Sequence, residues 1–204
     1  HLAGEGAGDW LLGRIAGGLP KPGRITLAYF PDHRGRILTE MTLACNGPDD
    51  FTLITAATAQ WHDREWLARE MPAHLTLTDL TRDLSTLIVT GPRSRDLFQA
   101  IGTEADLHLP WLSHQPATVA GRPCQLMRVS FAGELGWEIH AENAYIPALY
   151  EAVLAQGATP FGMFALDSLR IEKGYRAWKG DLSTDYSLIE GGLERFIRFD
   201  KPQD

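Results

Sequence analysis

The chain is poor in cysteine. Only Cys45 and Cys124 occur in 204 residues, far apart and outside any C-x-x-C pair, which argues against a disulfide scaffold and a clustered-thiolate metal site. Both thiols are expected to be reduced and buried, as in a cytoplasmic protein. Basic residues are also scarce. The 19 Lys and Arg against 26 Asp and Glu give a net charge of −7, the wrong balance for a nucleic-acid-binding surface. No apolar run approaches the ~20 residues that a membrane helix requires, and no leader of secretory type is legible. Neither nucleic acid nor membrane is expected as a partner.

Common chemical signatures are missing too. There is no GxGxxG turn and no glycine loop ending in GK[ST]. Gly91-Pro92-Arg93-Ser94 lacks the lysine of a phosphate loop and reads as a strand-to-helix turn. HExxH, a Cys/His cluster and GxSxG are all absent, so no metal site is expected. The seven histidines are scattered, and His62 beside Asp63 reads as a surface or supporting side chain.

What is present is a globular composition, 44% hydrophobic and 22% charged, which excludes disorder. Asp9 is placed to cap a short helix carrying Trp10, Leu11 and Ile15, stopped by Gly17-Gly18. Strands follow at 25–30, 37–45 and 51–55, joined by the turns Pro31–Gly35 and Asn46–Asp50, which makes a meander. A helix over 62–71 with Trp66 and Leu67 inward precedes strands at 75–79 and 85–90. Pro92 opens a helix with Leu97, Phe98 and Ile101 on one face, ended by Gly102. Further strands at 124–131 and 136–140 flank a Gly133-Glu134-Leu135 turn. Asn143 is placed to cap a helix to Gln156, a helix spans 164–173, and a last strand spans 196–200. The pattern predicts an α+β fold with antiparallel-sheet lobes and packed helices. The lobes are roughly 1–102 and 117–204, with Trp111 anchoring the aperiodic connection.

Two segments carry candidate chemistry. In Ser130–Glu138, two glycines tighten a turn and strand alternation puts Glu138 on one face with Gly136 and His140, with Trp137 opposite. The plain alternative is a hairpin with solvated carboxylates. In the second segment, Asp167, Arg170 and Lys173 recur at i, i+3 and share a helical stripe. Such a stripe is usually solvated, but a planar guanidinium there can hold an anionic or heteroaromatic ligand.

Together the segments are recognisable. Gly23-Arg24-Ile25-Thr26, Gly35–Glu40, Leu87–Pro92, Gly133–Glu138 and Asp167–Trp178 follow in an order and spacing that resembles the folate-binding aminomethyltransferase family. That family includes the T-protein of the glycine cleavage system. Lys-Gly-Tyr-Arg-Ala-Trp at 173–178 is most similar to the folate domain of dimethylglycine and sarcosine dehydrogenases, and departs from the Lys-Gly-Cys-Tyr of tRNA-modifying relatives.

The resemblance implies a three-lobed fold around a central tetrahydrofolate site, with residues 1–204 as a folate-binding domain truncated at both ends. It implies a fragment or short relative of a larger flavoprotein, with FAD only in an absent domain or subunit. Glu138 is then the carboxylate facing the donor-rich pterin edge, Phe131 an aromatic stacking surface and Arg170 the arginine facing folate. Counting from Gly35, Glu40 stands where many relatives have the key Asp, one C–C bond shorter, and is the candidate catalytic acid. Leu27 replaces a ligand-contacting Tyr, and Ala56 an Asn. The implied activity is capture, on tetrahydrofolate, of the carbon released in amine demethylation of dimethylglycine or sarcosine type, giving 5,10-methylenetetrahydrofolate. The alternative is a non-catalytic folate-binding or interaction module of a larger FAD-dependent amine oxidoreductase.

Overall fold

Alternating apolar residues and tight turns build two antiparallel sheets, one in each of two units. The computed structural model describes residues 1–201. His1–Asp79, with the chain from Arg176 onward, forms one unit, and Leu80–Tyr175 forms the other. No helix among the described residues is long and apolar enough to cross a membrane.

The first unit contains β1 (Leu2–Ala3), α1 (Ala7–Arg14), β2 (Ile25–Pro31), β3 (Ile37–Gly47), β4 (Asp50–Ile54), α2 (Gln60–Glu70) and β5 (Thr76–Leu77). The strands lie in the order β2-β3-β4-β1-β5. Asp32 accepts from the backbone N–H groups of Arg34 and Arg36 and so closes the β2–β3 turn. Alternation then sorts the faces. Ala28, Phe30, Met41, Leu43, Cys45 and Phe51 point to one side, against Leu11 of α1 and Leu67 of α2. Leu27 and Tyr29 point to the other side, which Trp178, Leu182, Leu188 and Leu193 cover.

The second unit contains β6 (Leu84–Thr90), α3 (Ser94–Ala100), β7 (Ser113–Val119), β8 (Arg122–Arg128), β9 (Gly136–Glu142), α4 (Ile146–Ala155) and α5 (Met163–Glu172). Its strand order is β6-β9-β8-β7. Val89, Leu126, Trp137 and Ile139 form its core with Phe98 of α3 and Leu149 of α4. Phe98 meets Trp137 edge to face at 5.6 Å between ring centroids.

Several sequence expectations need correction. Gly6, not Asp9, occupies the N-cap of α1, and Asp9 lies within its first turn. Tyr145, not Asn143, precedes α4; the Asn143 amide instead donates to the Arg82 carbonyl at 2.7 Å. The boundary expected between 102 and 117 falls inside the second unit, because the segment after α3 leads directly into β7 of the same sheet. Trp111 is 59% exposed. Leu107 and Leu109 pack on the core there instead, and Arg95 donates to the Leu107 carbonyl at 2.8 Å. The expected strand at 196–200 is absent. Residues Glu194–Phe196 make a 3-10 turn, because the Phe196 ring packs on Tyr29 at 5.2 Å and so lies against a sheet face.

The Phe98–Trp137 contact gives a direct test. Phe98→Ala leaves a cavity in a fully buried core and is expected to cost about 3–5 kcal/mol, measured by urea denaturation with the wild-type slope retained.

Candidate functional site

Glu40 is placed by strand register. Tyr29 on β2 is its direct cross-strand partner on β3, so both side chains share the face opposite the helices. The Glu40 carboxylate accepts hydrogen bonds from the Tyr29 hydroxyl and the Trp178 backbone N–H. Its Oε2 is buried and has no partner among the described residues. Burial pushes the Glu40 carboxyl above the ordinary carboxylate range, and the two donors only partly offset this. Burial and the adjacent carboxylate likewise hold the Tyr29 phenol protonated. A buried acceptor without a donor is costly to a fold, and this one suits a cationic or N–H-bearing guest.

In the second unit, the turn before β9 is shaped by what a side chain would strike. Gly133 has φ +78°, and a Cβ there would meet the Lys173 side chain at 2.1 Å. A Cβ on Gly136 would fall 2.5 Å from Ser130 Cβ. The turn therefore lies close against the end of α5, where Lys173 Nζ sits 3.5 Å from Glu134. This brings Phe131 and Arg170 together. The Arg170 guanidinium lies 6.0 Å from the Phe131 ring centroid, and Tyr175 stacks on the same ring at 6.2 Å with planes 14° apart. Arg170 is buried; its Nε donates to Asp167 at 2.6 Å and its Nη1 to the Tyr175 carbonyl at 2.8 Å. The stripe thus contains a fixed, buried cation in Arg170, and Phe131 keeps 38% of its surface open.

Glu138 occupies β9 between Ile88 of β6 and Met127 of β8, on the face opposite Trp137 and Ile139. Its Oε2 lies 2.9 Å from His140 Nε2. A cleft of about 980 Å³ in this unit is lined by β6, α3, α4 and α5 and includes none of Phe131, Glu138 or Arg170. Among the described residues, no group of three or more His, Cys, Asp or Glu is arranged to hold a metal ion.

Comparison with known proteins places this architecture. The family described as the GCVT N-terminal domain matches residues 1–201. The chain belongs to this family. Human mitochondrial dimethylglycine dehydrogenase is 31% identical over 195 residues, which is 91% of this chain and 22% of that protein. Mouse mitochondrial sarcosine dehydrogenase is 34% identical over 210 residues, covering 92% of this chain and 22% of that protein. The chain thus spans about a fifth of the length of these curated relatives. The glycine cleavage system aminomethyltransferase T of Bartonella henselae superposes with a TM-score of 0.87 at 22% identity, over 98% of this chain and 55% of that one. That likeness shows the fold.

As a folate-binding domain of aminomethyltransferase type, the chain carries Glu40 in the first unit and Phe131, Glu138 and Arg170 in the second. Phe131 and Arg170 meet, while Glu138 engages His140. The sequence does not mark Tyr29, Trp178 and Tyr175 as neighbours of these residues. Counting back and forth from the Pro31–Arg36 turn would have found Tyr29, since hairpin pairing sets its partner; no sequence signal marks the Trp178 N–H. His62 Nδ1 lies 2.8 Å from the buried Asp63, which also accepts from Thr55, consistent with a supporting role. Leu27 packs half-buried beside Tyr29, and Ala56 begins the 3-10 turn Ala57–Ala59.

Two outcomes are expected. In the pH window between the ordinary glutamate value and its raised folded value, the folded state holds a proton on Glu40 that the unfolded chain has released. Stability therefore falls as pH rises through that window. Glu40→Gln should melt higher than the parent at neutral pH, and the difference should close in acid; a constant difference in Tm between pH 3 and 8 contradicts this. Gly136→Ala should cost about 1–3 kcal/mol through overpacking, read by chemical denaturation.

Proposed function

We propose that this domain binds tetrahydrofolate and takes part in capturing the carbon released by demethylation of a dimethylglycine- or sarcosine-type amine, with 5,10-methylenetetrahydrofolate as product. The observation that carries the reading is the Glu40 carboxylate: buried, raised in pKa, and left with one unpartnered oxygen. Similarity to two demethylating dehydrogenases supports the choice of amine.

The chain's own groups have distinct tasks in this reading. Glu138 accepts from the donor-rich edge of the pterin through the oxygen that His140 does not occupy. Phe131, backed by Tyr175, offers a ring face for stacking. Arg170, fixed by Asp167 and the Tyr175 carbonyl, supplies a positive charge beside that face. Tetrahydrofolate supplies the nucleophilic nitrogen that takes up the one-carbon unit. Glu40 stabilises positive charge when ionised and carries a proton when neutral, and its raised pKa brings the two forms closer in energy. The Tyr29 hydroxyl keeps the carboxylate in place.

Oxidation of the amine belongs to an FAD-binding domain or subunit outside these residues. Burial pushes the Cys124 thiol up to about 11, and a protonated, half-buried thiol fits a reducing, cytoplasmic setting.

A second reading, a non-catalytic folate-binding or interaction module, is favoured by Leu27 and Ala56, which remove two polar side chains that relatives are expected to present. Calorimetry with tetrahydrofolate and a transfer assay separate the two. Binding at about micromolar affinity should be lost in Glu138→Ala and Arg170→Ala. Glu40→Gln should abolish transfer while leaving binding within about threefold. Binding without transfer by the parent selects the second reading, and no binding by the folded chain contradicts both.

A further inference from the structure

The carboxylate assigned to the pterin edge is not free to turn. On β9, His140 lies two residues beyond Glu138 on the same face, and its Nε2 is 2.9 Å from Glu138 Oε2. Its Nδ1 is 3.0 Å from the hydroxyl of Thr86, the residue directly opposite it on β6. Both ring nitrogens are therefore engaged, and the His140 side chain is only 10% exposed. An ionised carboxylate can only accept, so in the neutral imidazole Nε2 carries the proton and Nδ1 accepts from the Thr86 hydroxyl. The chain of donors runs one way, from Thr86 to His140 to Glu138. The amide nitrogen of Gln125, the other cross-strand neighbour of His140, is engaged by His114.

This arrangement divides the two oxygens of Glu138. Oε2 is held by His140, and the Glu138 side chain keeps 20% of its surface exposed. A glutamate side chain has three rotatable bonds, and fixing one oxygen removes most of that freedom before a ligand arrives. Resting on the reading of Glu138 as the pterin acceptor, we propose that His140 is its positioning residue. It holds Oε2 so that Oε1 alone meets the donor edge of the ligand, with Thr86 fixing the imidazole tautomer. Small displacements of such a group carry large penalties, so the hydroxyl and imidazole act on affinity without touching the ligand.

The test is a double-mutant cycle on the chain, with tetrahydrofolate affinity by calorimetry and the fold of each variant checked by its melting curve. His140→Leu should weaken binding about tenfold, the scale of a lost hydrogen bond to a charged group. His140→Gln, whose amide N–H can donate to the same oxygen, should recover to within about threefold of the parent. Glu138→Gln combined with His140→Leu should bind no more weakly than Glu138→Gln alone. Parent-like affinity in His140→Leu, or losses that multiply in the double variant, overturns the positioning role. Should Glu138→Gln itself bind like the parent, the reading of Glu138 falls and this role falls with it; a loss in Glu138→Gln but none in His140→Leu removes the role alone. Should His140→Leu fail to fold, Thr86→Val removes only an exposed hydroxyl. Imidazole 15N shifts should show the Nε2–H tautomer in the parent and a mixture in Thr86→Val, with weaker binding. An unchanged tautomer together with unchanged affinity overturns the proposal.

Discussion

The hydrogen bond from the Tyr29 hydroxyl to Glu40 depends on a single choice of strand register. With Tyr29 opposite Glu40, Ala28 meets Met41 and Phe30 meets Thr39, so Ala28, Phe30, Met41 and Leu43 reach the helix-covered face. A slip of one residue would reverse all of these at once. The same register that fills the core therefore sets the acid on the opposite face, beneath the segment containing Trp178 and Leu193. Core packing and acid placement are one constraint, and the large burial energy on the helix side holds a polar pair that would be unfavourable alone.

The second unit reaches its polar arrangement differently. There, the absence of side chains decides. Gly133 and Gly136 leave room for Lys173 and Ser130, which brings the turn against α5 and sets Phe131 beside Arg170. The guanidinium is then locked by Asp167 and a carbonyl, and Tyr175 stacks on Phe131. Arg170 is buried yet satisfied, whereas Glu40 is buried and half satisfied. That difference separates a residue that shapes a surface from one with capacity left for chemistry.

Much of this was legible in the sequence because periodicity and turn residues speak for local structure. The β2–β3 hairpin and the faces of Trp137 and Glu138 follow from period-two alternation, and Gly102 ends α3 with φ +71° as its position implied. Errors arose where a local signal met a tertiary competitor. Asn143 resembles a cap, but its amide finds the Arg82 carbonyl in the turn before β6. Phe196–Asp200 resembles a strand, but Phe196 is drawn onto Tyr29. Trp111 resembles an anchor because it is large, while the smaller Leu107 and Leu109 take the buried places. For the candidate residues, types and faces were legible and partners were not, since the Trp178 N–H and the Tyr175 carbonyl are backbone groups that any residue would supply.

The central claim is that Glu40 is a buried carboxyl kept short of donors. A pH titration of the side-chain 13C carboxyl resonance, assigned by its disappearance in Glu40→Gln, tests this most directly. The account predicts a midpoint clearly above that of the exposed glutamates of the same chain. A midpoint coinciding with theirs would contradict it.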